Sequence, residues 1–396
     1  MSHVTADPAV RPGWRALAIR YAVALHGAGA TAPAIEDAVV SLLAARGVDA
    51  TVMATPTALW VDVDGARVVR LRPAGSDLGR LAALSALDRR VRAEDGLPLH
   101  VVEAELDRIA ASPGPWPRWL EQLAVSAVGG GVAVAMGGGA VDGMAAAVLA
   151  ATVAGVDGAV RGHPRGQRLA DGLAGFVAGA GAALLGATGA DPARVALAAV
   201  TLMAPGLALT TAAEETASGH WTSGTARLAG GLVTLVQLAV GLALGAALVP
   251  ALGGGGVTGP AWAGVAAHLL LAPVVAVLCR VPPRDLLPAT AVGASAALAS
   301  HLAPGPFGAL LGAAAATVLG ATIGRRTGAP PAIYASPALL MLVPGALGVA
   351  GLRTAIDGGP GTAWAVGAAV LAIVAGVFAG QALVGPSDET PVRAPV

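Results

Sequence analysis

Two proline-glycine pairs inside apolar segments are the residues best suited to bind a polar solute. Pro205-Gly206 and Pro344-Gly345 each interrupt a stretch that could otherwise be one helix, because proline removes a backbone donor and glycine loosens the backbone. The carbonyls and amides that such a break exposes are tolerated at membrane depth only where they line protein or a watery cavity. The pattern predicts a site for an amino acid or a small ion beside the breaks. A proline kink that only shapes packing is the alternative.

Few polar or ionisable residues lie near these breaks or deep in the apolar segments, and four of them are candidates for substrate capture or coupling. Thr210, Thr211 and Glu215 follow the first break, and His268 is the ionisable residue deepest in an apolar segment. Such residues inside a membrane are functional candidates by default. A carboxylate at Glu215 could pair with an ammonium or carry a proton, and a solvated loop charge is the favoured interpretation of Glu214. His268 could instead only hydrogen-bond inside the bundle.

The first 118 residues contain a set of side chains that a hydrolase could use. The set is His26, Glu36, Asp37, Thr55 and Thr57. No nucleophile motif, phosphate loop or metal-ligand spacing accompanies it. Acids near a helix start and threonines in a strand explain these residues without catalysis, so an enzyme is not expected.

The composition indicates an integral membrane protein. Hydrophobic residues make up 55% of the chain, charged residues 12%, and the mean hydropathy is +0.72, whereas soluble domains carry about 25% charged residues. The formal net charge of zero argues against nucleic acid as a partner. The single cysteine, Cys279, excludes an intramolecular disulfide and a multi-cysteine metal site. No cofactor is expected.

The N-terminal quarter reads as a small α+β domain preceded by a disordered lead over residues 1–14. The first twenty residues lack the apolar core of a signal peptide, so we expect this domain, residues 15–118, in the cytoplasm. Apolar periodicity and turn residues predict its elements. These are helices over 14–25 and 33–45, strands over 51–63 and 66–71 joined at Asp64-Gly65, and helices over 77–93 and 98–111.

Ten apolar segments follow, and each is long enough to cross a bilayer. A hydrocarbon core of ~30 Å needs about 20 helical residues. The predicted spans are 120–138, 142–160, 169–188, 193–213, 227–248, 261–279, 286–302, 306–323, 332–351 and 362–384. They divide into two five-helix parts, residues 119–252 and 257–385, before a tail over 386–396. Gly241 and Gly245, one helical turn apart, predict close helix packing.

The arginines between the spans predict the orientation. With the N-terminus inside, cytoplasmic gaps hold Arg161, Arg165, Arg168, Arg227, Arg280, Arg284, Arg325 and Arg326, and outer gaps hold Arg194 and Arg353. Cytoplasmic loops carry the excess of positive residues. Both chain ends are therefore expected in the cytoplasm of a bacterium, with the spans in its inner membrane.

The two five-helix parts carry matching motifs. Residues 202–206 (Leu-Met-Ala-Pro-Gly) correspond to 341–345 (Met-Leu-Val-Pro-Gly), and Gly-Thr-Ala at 224–226 recurs at 361–363. A repeat of five crossings places the second copy upside down relative to the first. Inverted repeats with broken helices are typical of secondary transporters, whose substrates bind near the midplane. We expect the two breaks to approach each other there.

The motifs resemble those of the bacterial threonine/serine exporter family. The residues that carry the resemblance are Pro205-Gly206, Glu215, the run Gly219 to Arg227, Arg325, Arg326, Pro330, Leu342 to Gly345, Gly27 to Glu36, and Thr55-Pro56-Thr57. The resemblance implies a cytoplasmic domain, ten spans and export of threonine and serine driven by the proton gradient. Two positions depart from the family pattern: Ala204 replaces an aliphatic residue and Glu215 replaces aspartate.

The leading hypothesis is a secondary exporter of small neutral amino acids that works by alternating access. Its partners would be the amino acid, protons and the lipid bilayer, and the oligomeric state stays open. A membrane-anchored hydrolase and a passive small-solute channel are the alternatives. A primary pump is disfavoured because the sequence has no ATP-binding loop.

Overall fold

The computed structural model describes residues 11–63, 65–72, 75–94, 97–163, 166–250, 252–342 and 361–385. It is mainly helical, with one small sheet near the N-terminus. Pro344 and Gly345 lie outside the described residues, as do residues 1–10 of the predicted lead and the tail over 386–396. The predictions made for these residues stay predictions.

The N-terminal elements form what we call the α+β unit. Its elements are α1 (Arg11–Gly27), α2 (Ala32–Ala44), β1 (Thr51–Ala54), β2 (Ala58–Asp62), β3 (Ala66–Arg70), α3 (Leu78–Ala93) and α4 (Leu99–Ala111). All four predicted helices are present. The strands are antiparallel in the order β1-β2-β3, and Asp62 opposite Ala66 confirms the one predicted hairpin, which joins β2 to β3.

The prediction of one strand over 51–63 is wrong, because the chain turns at Thr55-Pro56-Thr57. The Thr55 amide donates to the Ala58 carbonyl at 2.8 Å, and the Ala58 amide donates to the Thr55 hydroxyl at 3.0 Å. Proline has no amide hydrogen for a strand ladder. The two halves of the predicted strand therefore pair with each other, with Ala54 opposite Leu59.

The rest of the described chain forms a helical bundle. Its helices are α5 (Arg118–Ala135), α6 (Ala140–Arg161), α7 (Ala170–Leu185), α8 (Pro192–Ala199), α9 (Gly206–Ala217), α10 (Trp221–Leu248), α11 (Ala261–Leu278), α12 (Pro283–Ser300), α13 (Gly305–Thr327), α14 (Ala332–Leu342) and α15 (Gly361–Val384). Among the described residues, six segments are long and apolar enough to cross a membrane. They are Ala140–Arg161, Ala170–Thr188, Trp221–Leu248, Ala261–Leu278, Gly305–Thr327 and Gly367–Val384.

The fourth predicted span, 193–213, is two helices rather than one. Helix α8 ends at Ala199, Pro205 is the N-cap of α9, and Gly206 is the first residue of α9. Proline cannot donate to the carbonyl four residues earlier, which ends the regular ladder. The first break therefore lies where the sequence placed it.

The same packing scheme occurs in both parts of the bundle. In the first part the packed pairs are α5–α6, α6–α7, α6–α8, α7–α8, α5–α8 and α7–α10. In the second part they are α11–α12, α12–α13, α12–α14, α13–α14, α11–α14 and α13–α15. Each of these six pairs has its counterpart at the corresponding position of the second part, whereas the position that would match the α9–α10 pair falls partly outside the described residues.

Helices α5 and α11 pack against each other and run in opposite directions. Before α5, the Trp116 indole donates to the Val281 carbonyl, just after α11, at 2.9 Å. Beyond the other end of α5, the Gly137 carbonyl accepts from the Gly259 amide, just before α11, at 3.0 Å. The α+β unit lies at the first of these ends, where the Leu78 amide donates to the Cys279 carbonyl at 3.0 Å. We call this the near end of the bundle, and the other the far end.

Glycines bring α7 and α10 into backbone contact. A Cβ at Gly241 would lie 2.0 Å from the Gly172 carbonyl oxygen, and one at Gly245 would lie 2.2 Å from that of Phe176. No side chain fits at those distances, so the predicted close packing at Gly241 and Gly245 is confirmed.

One hydrophobic core joins the α+β unit to the bundle. Leu17 and Leu84 of the unit belong to the same buried cluster as Leu271, Val275 and Tyr334 of the bundle. The three-stranded sheet is small for independent stability, and this shared core supplies the cover it needs.

Candidate functional site

The predicted site residues do not converge on one place in the described chain. Pro205 and Gly206 form the α8–α9 break, and Thr210, Thr211 and Glu215 lie on α9. His268 lies on α11. The positions of Pro344 and Gly345 fall outside the described residues, so whether the two breaks approach each other stays a prediction.

Glu215 is buried, with 1% of its surface exposed, and fully bonded. Its Oε1 accepts from the Ala32 amide at 3.0 Å, and its Oε2 accepts from the Ser223 hydroxyl at 2.7 Å. The Arg227 Nε donates to both oxygens at 3.0 and 3.1 Å. We call these four residues the Glu215 junction. It joins α9 and α10 to the α+β unit.

The junction forms because the start of α2 lacks a cap of its own. Ala32 is the first residue of α2, and the side chain of the N-cap residue Thr31 makes no capping hydrogen bond. The first amides of a helix need acceptors, and the helix dipole favours a negative group there. Glu215, from another part of the chain, supplies the acceptor and the negative charge, and Arg227 balances that charge inside the protein.

A second contact lies beside the junction. The His220 Nε2 is 3.4 Å from Glu36 Oε2, and the Ala54 amide donates to Glu36 Oε1 at 2.8 Å. Burial raises the pKa of the Glu36 carboxyl, while the Ala54 hydrogen bond and His220 oppose the rise. Burial also raises the pKa of Asp37, one residue on. The His220 amide donates to the Glu215 carbonyl at 2.8 Å, so this contact is linked to the junction through the backbone.

The side chains considered for hydrolysis lie in separate structural contacts. His26 Nε2 is 3.0 Å from the Arg72 carbonyl oxygen, and the Thr55 hydroxyl donates to the Ala58 carbonyl at 2.9 Å. Glu36 bonds to strand β1 through its carboxylate, as above. Each group holds a local turn or element in place.

Among the other polar residues of α9, Thr210 bonds within the helix and Glu214 contacts α15. Thr210 is buried and donates to the Gly206 carbonyl at 3.1 Å, and Thr211 is half-buried. Glu214 is half-buried on α9 rather than in a loop, and the Gln381 amide of α15 donates to it at 3.4 Å. The interpretation of Glu214 as a loop charge is wrong, because α9 continues to Ala217.

His268 pairs with His301 rather than with Glu215. The two rings meet edge to face, with their centroids 5.3 Å apart. The Nδ1 of His268 is buried and has no hydrogen-bond partner among the described residues. This pair lies toward the far end of the bundle, because α11 starts there and α12 ends there.

Two buried carboxylates of the bundle were missed by sequence reasoning. Asp142, 1% exposed, accepts from the Asp191 amide at 2.8 Å and is ion-paired with Arg194. Asp285, 7% exposed, accepts from the Tyr334 hydroxyl at 2.9 Å. The sequence did contain a signal for these two residues. Each is an acidic residue just after the start of an apolar segment, one in each part of the bundle.

These two carboxylates occupy equivalent positions. Asp142 is the third residue of α6 and Asp285 the third residue of α12. Their partners, Arg194 and Tyr334, are the third residues of α8 and α14. Helix α6 starts at the far end and α12 at the near end, so one pair lies at each end of the bundle.

Comparison with known proteins gives one family match. The ThrE family, described as "Putative threonine/serine exporter", matches residues 16–249, which run from α1 to the loop after α10. Searches among curated proteins and among solved structures each found no match. The matched range includes the Glu215 junction and the first break.

Proposed function

Because the family match covers more than half of its 396 residues, this protein belongs to the threonine/serine exporter family, and on that premise we propose that it is a proton-coupled secondary transporter. It exports threonine, serine and similar small neutral amino acids across the bacterial cytoplasmic membrane. Both chain ends and the α+β unit are cytoplasmic in this proposal.

The observation that carries the proposal is the packing scheme that recurs in the two parts of the bundle. The antiparallel pair α5 and α11 relates the parts by a reversal of direction. This supports ten crossings arranged as two inverted halves, residues 119–252 and 257–385. Inverted halves give alternating access when one rocks against the other around a central site.

The substrate site is proposed at the two proline-glycine breaks. Around the first, the amides of Met203 and Ala204 both donate to the Val200 carbonyl at 2.9 and 3.0 Å, a tight turn in place of a helix. The N-terminus of α9 begins directly after this turn, at Gly206. A helix N-terminus favours a carboxylate, so it suits the acidic group of an amino acid. Pro344-Gly345 would supply the corresponding break from the other half.

Glu215 is proposed as a coupling residue rather than as the first contact of the substrate. Its carboxylate bonds to three donors, so an ammonium could bind it only after the Arg227 pair had opened. The same carboxylate holds the amide of Ala32 at the start of α2. The residue therefore links any movement of α9 and α10 to the α+β unit.

Transport by purified protein in lipid vesicles tests the proposal. Vesicles loaded with threonine or serine should release or accumulate it against its gradient only when a pH gradient is imposed. Downhill flux with no uphill transport under any pH gradient would indicate a channel. Conversion of the solute instead of its movement would indicate a hydrolase.

A further inference from the structure

The equivalent carboxylates Asp142 and Asp285 differ in the chemistry of their buried partners. Asp142 contacts the Asp191 amide and the Arg194 guanidinium, which has 17% of its side chain exposed. Both groups can donate hydrogen bonds and neither can accept one. A proton on Asp142 would therefore have to displace a bond, and Arg194 would keep only its longer contact with the Asp191 carboxylate at 3.5 Å.

Asp285 meets a hydroxyl, which can donate or accept. The Tyr334 hydroxyl lies 2.9 Å from Asp285 Oδ1 and 3.0 Å from the Thr327 hydroxyl, and either hydroxyl can be the donor of that second bond. The Thr327 hydroxyl also lies 3.0 Å from the Ile323 carbonyl oxygen, which can accept its hydrogen. These groups form a continuous row of hydrogen bonds.

The row can satisfy either charge state of Asp285. When the carboxylate is ionised, Thr327 donates to Tyr334 and Tyr334 donates to Asp285. When it is protonated, Asp285 donates to Tyr334, Tyr334 donates to Thr327, and Thr327 donates to Ile323. The hydrogen bonds between the three side chains are retained in both arrangements, so the row imposes no loss of a bond on protonation.

The row also connects a buried site to water. Tyr334 is fully buried and Asp285 almost so, whereas Thr327, at the end of α13, is exposed. Asp285 lies four residues after Val281, which contacts Trp116 at the near end. The exposed end of the row therefore faces the same side as the α+β unit.

Arg284 and the charged groups on the helices packed against α12 leave the carboxylate free to change its charge. Arg284 donates to Asp285 Oδ2 at 3.2 Å, but 73% of its side chain is exposed, and pairs with exposed charges are strongly screened by water. Helices α11 and α13 pack against α12. Arg280, just after α11, bonds to two other carboxylates, and Arg325 of α13 donates to a backbone carbonyl. Arg326 is exposed.

We propose that Asp285 is the proton-binding site of the transporter and that Tyr334 and Thr327 conduct the proton between it and water. One proton enters from water at the Thr327 hydroxyl, the Thr327 hydrogen passes to Tyr334, and the Tyr334 hydrogen passes to Asp285. Both hydroxyls end neutral, and the carboxylate alone has changed charge. Only the role of this proton as the coupling ion depends on the proposed function.

Transport measured in two modes tests the role in coupling. In vesicles, Asp285→Asn should abolish threonine accumulation driven by a pH gradient, while exchange of internal for external threonine continues because it needs no net proton movement. Tyr334→Phe, which keeps the ring and removes the hydroxyl, should slow the gradient-driven mode and spare exchange. Gradient-driven accumulation at the parent rate in either variant would overturn the proposal. Asp142→Asn is the matched control, and we expect it to lower both modes together.

Infrared difference spectra of the purified protein test proton binding without any transport. Acidification should produce the carbonyl absorption of protonated carboxylic acids, including one band that Asp285→Asn loses, Tyr334→Phe shifts and Asp142→Asn retains. The amide band reports that each variant is folded. An unchanged band in Asp285→Asn would refute the site. If the band depends on Asp285 but no amino acid is transported, the proposed function fails while the proton site stands.

Discussion

The α+β unit meets the bundle at two junctions built on different physics. At the Glu215 junction a buried carboxylate binds a mostly buried arginine and a helix start. At the other, which we call the Arg280 junction, the Arg280 guanidinium, 39% exposed, bonds to Asp77 and Glu121. Beneath it, Leu78 and Val281 are buried in the shared core.

The two junctions differ in what remains when one charged side chain is deleted. A buried ion pair that loses one partner leaves an uncompensated charge inside the protein, at a cost of about 3–5 kcal/mol. An exposed pair contributes about 0–1 kcal/mol. The first junction should therefore depend on charge, and the second on apolar packing.

Glu215→Ala should give the largest effect. It leaves the Arg227 charge and the Ala32 amide without their acceptor, so we expect the free energy of unfolding to fall by about 3–5 kcal/mol. Thermal unfolding of the purified protein in detergent measures this. Glu214→Ala, one position along the same helix, is the control and should change little. Equal melting temperatures for the two variants would remove the distinction between the junctions.

Leu78→Ala should cost almost as much, for a different reason. Leu78 is 2% exposed in the core that joins the unit to α11 and α12, and deleting a buried leucine costs about 2–5 kcal/mol. The loss should be the same at low and high salt, because no charge changes. A loss that varied with salt would mean that electrostatics also governs the Arg280 junction.

The burial of Glu36 beside His220 should make the stability of the protein sensitive to pH. Burial raises the pKa of Glu36 in the folded protein, so the stability contributed by its protonated form is present below the unfolded pKa. That contribution is lost as the pH rises through the folded pKa. Glu36→Gln should flatten this part of the curve of melting temperature against pH, whereas the exposed Glu94→Gln should leave it unchanged. An unaltered curve in Glu36→Gln would contradict the assignment.

Arg280→Ala should have the smallest effect. Arg280 itself is 39% exposed, and its buried partner Asp77 keeps its contacts with the Arg80 amide at 3.0 Å and the Arg80 guanidinium at 3.6 Å. We therefore expect a change of about 0–1 kcal/mol in the free energy of unfolding. The same measurement as for Glu215→Ala applies. A loss as large as that of Glu215→Ala would show that both junctions depend on buried charge.

Much of the architecture could be predicted from local pattern. The four helices of the α+β unit, the turn before Ala66 and the break at Pro205-Gly206 all appear where the sequence placed them. These features depend on residues close in the chain: apolar periodicity, turn residues and the missing donor of proline. The prediction of one strand over 51–63 is wrong for a local reason too, because Pro56 at its centre lies in a turn.

The sequence by itself determined the membrane class, the family and the places where helices start and break, since composition and short-range backbone chemistry decide these. Only the tertiary structure decided which charges meet. Glu215 bonds to Ala32, 183 residues away in the chain, and Tyr334 to Asp285, 49 residues away. A carboxylate in the sequence carries no sign of its partner, because the choice between an arginine, an amide and a hydroxyl depends on which helices pack together. That choice separates a fixed ion pair at Asp142 from the proposed proton site at Asp285.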